Sequence, residues 1–186
     1  MNNAQIFISA LLLAIAGIVS SSCDRRRIEQ ELQQLTSTEI TIPQDSLLSF
    51  NYKSKAQLDS SKYKYVIYYD STVCSTCTLK NMYYWEVLRD SVSSLGTNVN
   101  FVFIFAPSKE KRGKFLNDLK QAREKFIAFV DTSGCFIKRN SQIPQNANAH
   151  AFLLDSNNKI IMVGNAQNNP AIETLFWKII HGTYEK

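Results

Sequence analysis

The stretch Val66–Leu88, VIYYDSTVCSTCTLKNMYYWEVL, places Cys74 and Cys77 with two residues between them. The run before the pair, Tyr63–Tyr69, is rich in Tyr, Val and Ile, which favours a strand. After it, Leu79, Met82, Tyr83, Val87 and Leu88 recur near helical spacing, and the predicted helix ends around Gly96. The cysteines therefore stand at a strand-to-helix junction. Three uses are open for such a pair: a redox couple, a metal clamp or a structural staple. The staple fits poorly. A disulfide across so short a loop adds little chain-entropy stabilisation, which grows with loop length. A chain of this size buries about two-thirds of its unfolded surface without one.

The chain begins MNNAQIFISALLLAIAGIVSSSC. The apolar run Ile6–Val19 is shorter than the roughly 20 residues of a bilayer span and matches a secretory h-region of about 7–15 residues. Ser20, Ser21 and Ser22 lead directly to Cys23. This pattern resembles a permissive bacterial lipoprotein signal, of the kind found in Bacteroidetes-type bacteria, with lipid carried on Cys23. The resemblance implies removal of residues 1–22, a cell-envelope location facing the periplasm and membrane attachment through the anchor. Residues 1–22 carry no charged side chain, so the formal net charge of +5 belongs to the remainder. Arg25, Arg26 and Arg27 read as part of a basic tether, and residues 23–59 as tether and N-terminal extension. The cluster SKEKRGK, Ser108–Lys114, has no interleaved aromatic residue and reads as a solvated helix start, not a nucleic-acid patch.

Setting Cys23 aside leaves Cys74, Cys77 and Cys135. In an oxidising compartment, one pair and one free thiol is the simplest partition. Cys135, in DTSGCFIK, is the expected free thiol.

Further along, Glu39–Pro43 reads as a short strand stopped by Pro43, and Lys53–Lys62 as a loop. Phe101–Ala106 and Phe126–Val130 are continuous apolar runs, as expected of strands buried on both faces. Between them, Ser108 is placed to cap a helix whose apolar side is Phe115, Leu116 and Leu119. Phe152–Asp155 and Lys159–Val163 form a hairpin around Ser156–Asn158, and Asn168-Asn169-Pro170 opens a last helix with inner residues Ile172, Leu175, Phe176 and Ile179. Alternating strands and helices predict an α/β domain over residues 60–186, with parallel pairs and a closing hairpin that makes the central sheet mixed, with helices on both faces.

Residues 60–182 resemble the thioredoxin-like superfamily, most closely its TlpA-like branch of membrane-anchored bacterial thiol–disulfide oxidoreductases. The resemblance rests on YYDSTVCSTC opening a helix, on FVFIFAPS and FIAFVDTSG, and on HAFLLDSNNKIIMVG. It implies an oxidoreductase that needs no bound cofactor or metal and exchanges disulfides with protein disulfide or dithiol partners of the envelope. A thiolate at a helix N-terminus faces unpaired N–H groups and the positive end of the helix dipole. Its pKa falls from about 8.5 into the 3.5–7.5 range. Cys74 is thus the expected attacking thiol, and Cys77 the expected buried, resolving one. Trp85 and Tyr84 read as helix packing, and His181 as unrelated to the site.

The family also places a cis-proline three residues ahead of the hairpin Phe, where it lies against the cysteines and offers backbone to a docked peptide. Here that position is Ala149, with His150 beside it in the expected docking loop. A cis bond before a non-proline costs about 2.5–4 kcal/mol, so a trans bond and altered docking are expected. The alternative class is a thioredoxin-fold binding protein. It would be either a Sco-like copper site with Cys74, Cys77 and a His as soft ligands, or a redox-inactive partner-binding module. Sco-like proteins carry CxxxC followed by Pro, and this chain has neither.

Overall fold

A computed structural model describes residues 33–36, 38–122, 126–144 and 150–184. The signal segment 1–22, Cys23 and Ala149 lie outside these residues. The chain divides into two compact units, Met1–Gln34 and Leu35–Lys186, and the sheet and the site belong to the second.

Its strands are β1 (Leu48–Phe50), β2 (Tyr63–Tyr69), β3 (Val99–Phe105), β4 (Ile127–Val130), β5 (Ala151–Leu154) and β6 (Ile160–Val163). Its helices are α1 (Lys55–Asp59), α2 (Ser75–Lys80), α3 (Tyr83–Ser94), α4 (Lys109–Gln121), α5 (Cys135–Arg139) and α6 (Pro170–Ile180). The strands form one sheet in the order β1-β4-β3-β2-β5-β6. Pairs β2/β3 and β3/β4 are parallel, while β1/β4, β2/β5 and β5/β6 are antiparallel. The expected mixed sheet with its closing hairpin is present.

Strand alternation sorts side chains to the two faces. On one face Tyr65, Phe101 and Phe103 pack with Trp85 of α3 and Phe176 of α6, while Phe105 meets Phe115 of α4. Tyr65 is edge-on to Trp85 at 5.4 Å and stacked on Phe176 at 5.5 Å, separations at which aromatic pairs add to plain burial. On the other face Tyr68 stacks on Phe136 of α5 at 5.1 Å. Helices therefore cover both faces. The packing roles expected of Trp85 and of the inner residues of α6 hold, since Trp85, Phe176 and Ile179 are buried.

The backbone departs from the sequence reading in several places, among them α5, which forms in a stretch read as loop. Leu48–Phe50 forms an edge strand, in the region read as tether and extension, and the compact unit starts at Leu35. Glu39 makes only an isolated bridge with Lys159, in place of the expected short strand. Lys55–Asp59, read as loop, is a helix that buries Leu58. The helix expected from the cysteines to Gly96 is broken at Asn81-Met82. The Asn81 side-chain amide donates to the Cys77 carbonyl at 3.1 Å, one of the local side-chain bonds by which Asn competes with a continuous helix. Gly96 does take the left-handed conformation after α3, at φ 69°.

Candidate functional site

β2 ends at Tyr69, and the next residues form a tight turn that delivers Cys74 to the start of α2. Asp70 organises that turn. Its carboxylate accepts from the Thr72 amide at 2.8 Å and from the Thr72 hydroxyl, and its carbonyl accepts from the Val73 amide at 3.2 Å. Such Asp-led turns are a local alternative to regular structure. Partial burial pushes the Asp70 carboxyl up, but the Thr72 hydrogen bonds, the His150 imidazole and the Val73 amide outweigh it and hold the group below its ordinary value.

Cys74 occupies the cap position of α2 and is joined to Cys77 by a disulfide, with Cα atoms 5.2 Å apart. The Cys77 amide donates to Cys74 Sγ at 3.3 Å. The sulfur thus takes the place of a capping oxygen, as the sequence order predicts. Both cysteines are exposed. This corrects the expectation that Cys77 is buried: α2 turns Ser75 inward and leaves Cys77 exposed.

Two clefts flank the pair. One, of about 310 Å³, runs past both cysteines and is lined mainly by uncharged polar groups, among them Asn81, Asn165 and Asn168. The other, of about 460 Å³, lies between Cys74–Thr76 and the start of α4. Thr76 donates to Asp118 of α4 at 2.9 Å, and Lys114 reaches the same carboxylate at 2.8 Å, which ties α2 to α4. The lysine and threonine hydrogen bonds hold the Asp118 carboxyl below its ordinary value.

His150 is buried directly before β5. Its Nε2 lies 2.9 Å from the Pro144 carbonyl, its Nδ1 3.7 Å from Asp70 Oδ2, and its ring is edge-on to Tyr68 at 5.4 Å. It therefore joins the turn that precedes the cysteines. The sequence reading places His150 in a docking loop but does not single out Asp70. The signal available is the D-S-T run ahead of the pair. Cys135, at the start of α5, is not part of the pair and is the free thiol among the described residues. Burial pushes that thiol up. His181 stacks on Trp177 at 5.7 Å on α6. Among the described residues no group of three His, Cys, Asp or Glu gathers as a metal site. Nor is any described helix long and apolar enough to cross a membrane.

No protein-family model and no curated protein matches the sequence. Solved structures do. A thioredoxin-like protein in its oxidised form matches with a TM-score of 0.55 at 15% identity, covering 80% of this chain and 97% of that one. A Chlorobium tepidum protein provisionally assigned as thiol:disulfide interchange protein DsbE matches at 0.48 and 16% identity, covering 78% and 96%. An uncharacterised thioredoxin-like protein of Porphyromonas gingivalis matches at 0.45 and 17%, covering 78% and 89%. The sheet order and the first of these likenesses agree: this chain has the thioredoxin-like fold, with its cysteine pair where a central strand gives way to a helix.

Proposed function

We propose that this protein is a thiol–disulfide oxidoreductase of the bacterial cell envelope, held to a membrane by lipid on Cys23. The observation that carries the redox reading is the exposed Cys74–Cys77 disulfide at the start of α2, with the Cys77 amide directed at Cys74 Sγ. In the reduced protein the same amide faces the Cys74 thiolate and favours it over the thiol. That thiolate attacks one sulfur of a partner disulfide. A new S–S bond forms to Cys74, the partner's S–S bond breaks, and the partner's other sulfur leaves as a thiolate. Cys77 then attacks the Cys74 sulfur, re-forms the disulfide seen here and releases the partner's second thiolate. Two electrons pass to the partner, and a second envelope dithiol returns them by the reverse exchange. Run backwards, the cycle oxidises a partner dithiol.

The anchor reading is supported by the apolar run that ends in Ser-Ser-Ser-Cys. Two measurements test the proposal. The pair is titrated against dithiothreitol redox buffers, and reduction of a small neutral disulfide is compared between wild type and Cys74→Ser. A two-electron midpoint within the range of known thiol–disulfide exchange proteins, together with activity lost in Cys74→Ser, is expected. Equal rates in the two proteins would overturn the redox reading. Mass spectrometry of the native N-terminus is expected to show a lipid-modified Cys23, and an unmodified N-terminus would overturn the anchor.

A further inference from the structure

We propose that the cleft between α2 and the start of α4 is a docking groove for an acidic segment of the disulfide-bearing partner, an inference that rests on the redox reading. The cleft borders Cys74, so a chain lying in it has access to the reacting sulfur. Lys80, Lys111 and Lys114 line it against the single carboxylate of Glu110. Lys114 is paired with Asp118, but among the described residues neither Lys80 nor Lys111 makes an ion pair. Both are exposed, subject only to the more distant carboxylates of Asp118 and Glu110, and attract an anionic partner.

The backbone adds to this field. Ser108, the cap residue of the 13-residue α4, and Glu110 in its first turn both line the cleft, and the cap side chain makes no hydrogen bond to the helix amides. Helix N-termini offer amides and the positive end of the dipole, a setting that favours carboxylates, and the Glu110 carboxyl, held below its ordinary value by its own amide and the Ser108 hydroxyl, already uses part of it. The independent observation is Ser75. It lines the same cleft and is 6% exposed, yet its buried hydroxyl has no partner within the described structure. An unpartnered buried hydroxyl costs free energy that an incoming acceptor would recover.

The cleft on the other side of the pair argues the direction. Its lining includes Asn81, Asn165, Gln167 and Asn168 and holds no charged side chain. Charge therefore distinguishes the two sides of the disulfide. The partner's cystine lies over Cys74, and its acidic residues lie on the α4 side.

The test uses two peptides closed by a cystine loop, identical except for flanking glutamates in one and lysines in the other. Serine-for-cysteine versions of both measure binding to the oxidised protein without chemistry. Wild type is expected to bind the acidic version about tenfold more tightly than the basic one at low salt, the scale of a few exposed ion pairs. The preference should shrink toward unity in the triple variant Lys80→Gln, Lys111→Gln, Lys114→Gln, and at high ionic strength. Amide shifts on adding the acidic peptide should centre on residues 75–80 and 108–114. Equal binding of both peptides, or a preference unchanged in the triple variant, would overturn the groove whatever the turnover. A small neutral disulfide, run in parallel, separates the two ideas. Its reduction by wild type with no peptide preference leaves the enzyme standing and removes the groove. Its failure to react removes the redox reading, while the binding data still decide the groove.

Discussion

His150 Nδ1 lies 3.7 Å from Asp70 Oδ2, which ties the entry to β5 to the turn that presents Cys74. The same imidazole reaches the Pro144 carbonyl through Nε2. One buried ring thus braces two chain segments beside the disulfide, and four consequences of the site and its supports can be measured.

The Asp70 carboxyl sits below its ordinary value, so its stabilising effect is complete above the unfolded value of about 3.9 and is lost as pH falls through the folded value. Asp70→Asn is therefore expected to be less stable than wild type near pH 6, by about 0.5–1.5 kcal/mol, the scale of partly exposed hydrogen bonds that lose their charge. The gap should close at low pH, where wild type is protonated as well. Denaturant melts from pH 7 to pH 3 check this, and a gap constant over that range would contradict it.

Cys74, which receives the Cys77 amide, is expected to alkylate first in the reduced protein, with an apparent pKa below about 8.5. Since both cysteines are exposed, access alone does not separate them, and the difference should lie in the pH dependence. Cys77→Ser is expected to accumulate a mixed disulfide on Cys74, visible by intact mass. Faster labelling of Cys77 across the pH range would reverse the assignment.

Asp131 is buried at the start of the α5 segment and accepts from the amides of Ser133, Cys135 and Phe136 at 3.1, 3.0 and 2.9 Å. Burial pushes its carboxyl up, but these amides overcome that and hold it down, so Asp131→Asn should lose about 1.5–3 kcal/mol at neutral pH, the scale of hydrogen bonds to a charged group. Cys135, whose thiol burial pushes up, serves as a reporter. It should alkylate slowly in the native protein at pH 7.5 and faster in Asp131→Asn. Cys135→Ser should leave disulfide reduction unchanged, and a loss of activity there would bring Cys135 into the mechanism.

The Tyr65 hydroxyl donates to the Gly164 carbonyl at 2.8 Å and accepts from the Ala166 amide at 3.0 Å. Gly164 stands at φ 126°, where an added Cβ would meet Ile172 at 3.0 Å, so this turn depends on glycine and on the tyrosine. Tyr65→Phe strands two buried backbone groups and is expected to cost about 1–3 kcal/mol. Cys74 reactivity should be untouched, and a changed alkylation profile would show that β2 couples to the site more tightly than its packing implies.

Local signals determined much of this protein. The run Tyr63–Tyr69, the apolar strands around Phe103 and Phe129, the hairpin turn at Ser156–Asn158 and the Asn169-Pro170 helix start are legible because each is fixed by neighbours in the chain, through propensity, burial period or capping. Cys74 at a helix start is legible for the same reason. The edge strand Leu48–Phe50 is not: three residues with two exposed carry no period, and only pairing with Ala128–Val130 of β4 orders them. α5 is hidden in a loop-like stretch because its start depends on Asp131 folding back over three amides, which spacing alone does not reveal. The early end of α2 at Asn81 reflects a competition between a side-chain amide and the helix ladder, and the exposure of Cys77 depends on the face that α2 turns inward, which carries Ser75. Contacts between distant residues are likewise settled only in the folded chain. Asp70 meets His150 across β2 and β5, and Lys80 faces Lys111 and Lys114 across a cleft, because strand order and helix packing bring together groups far apart in sequence.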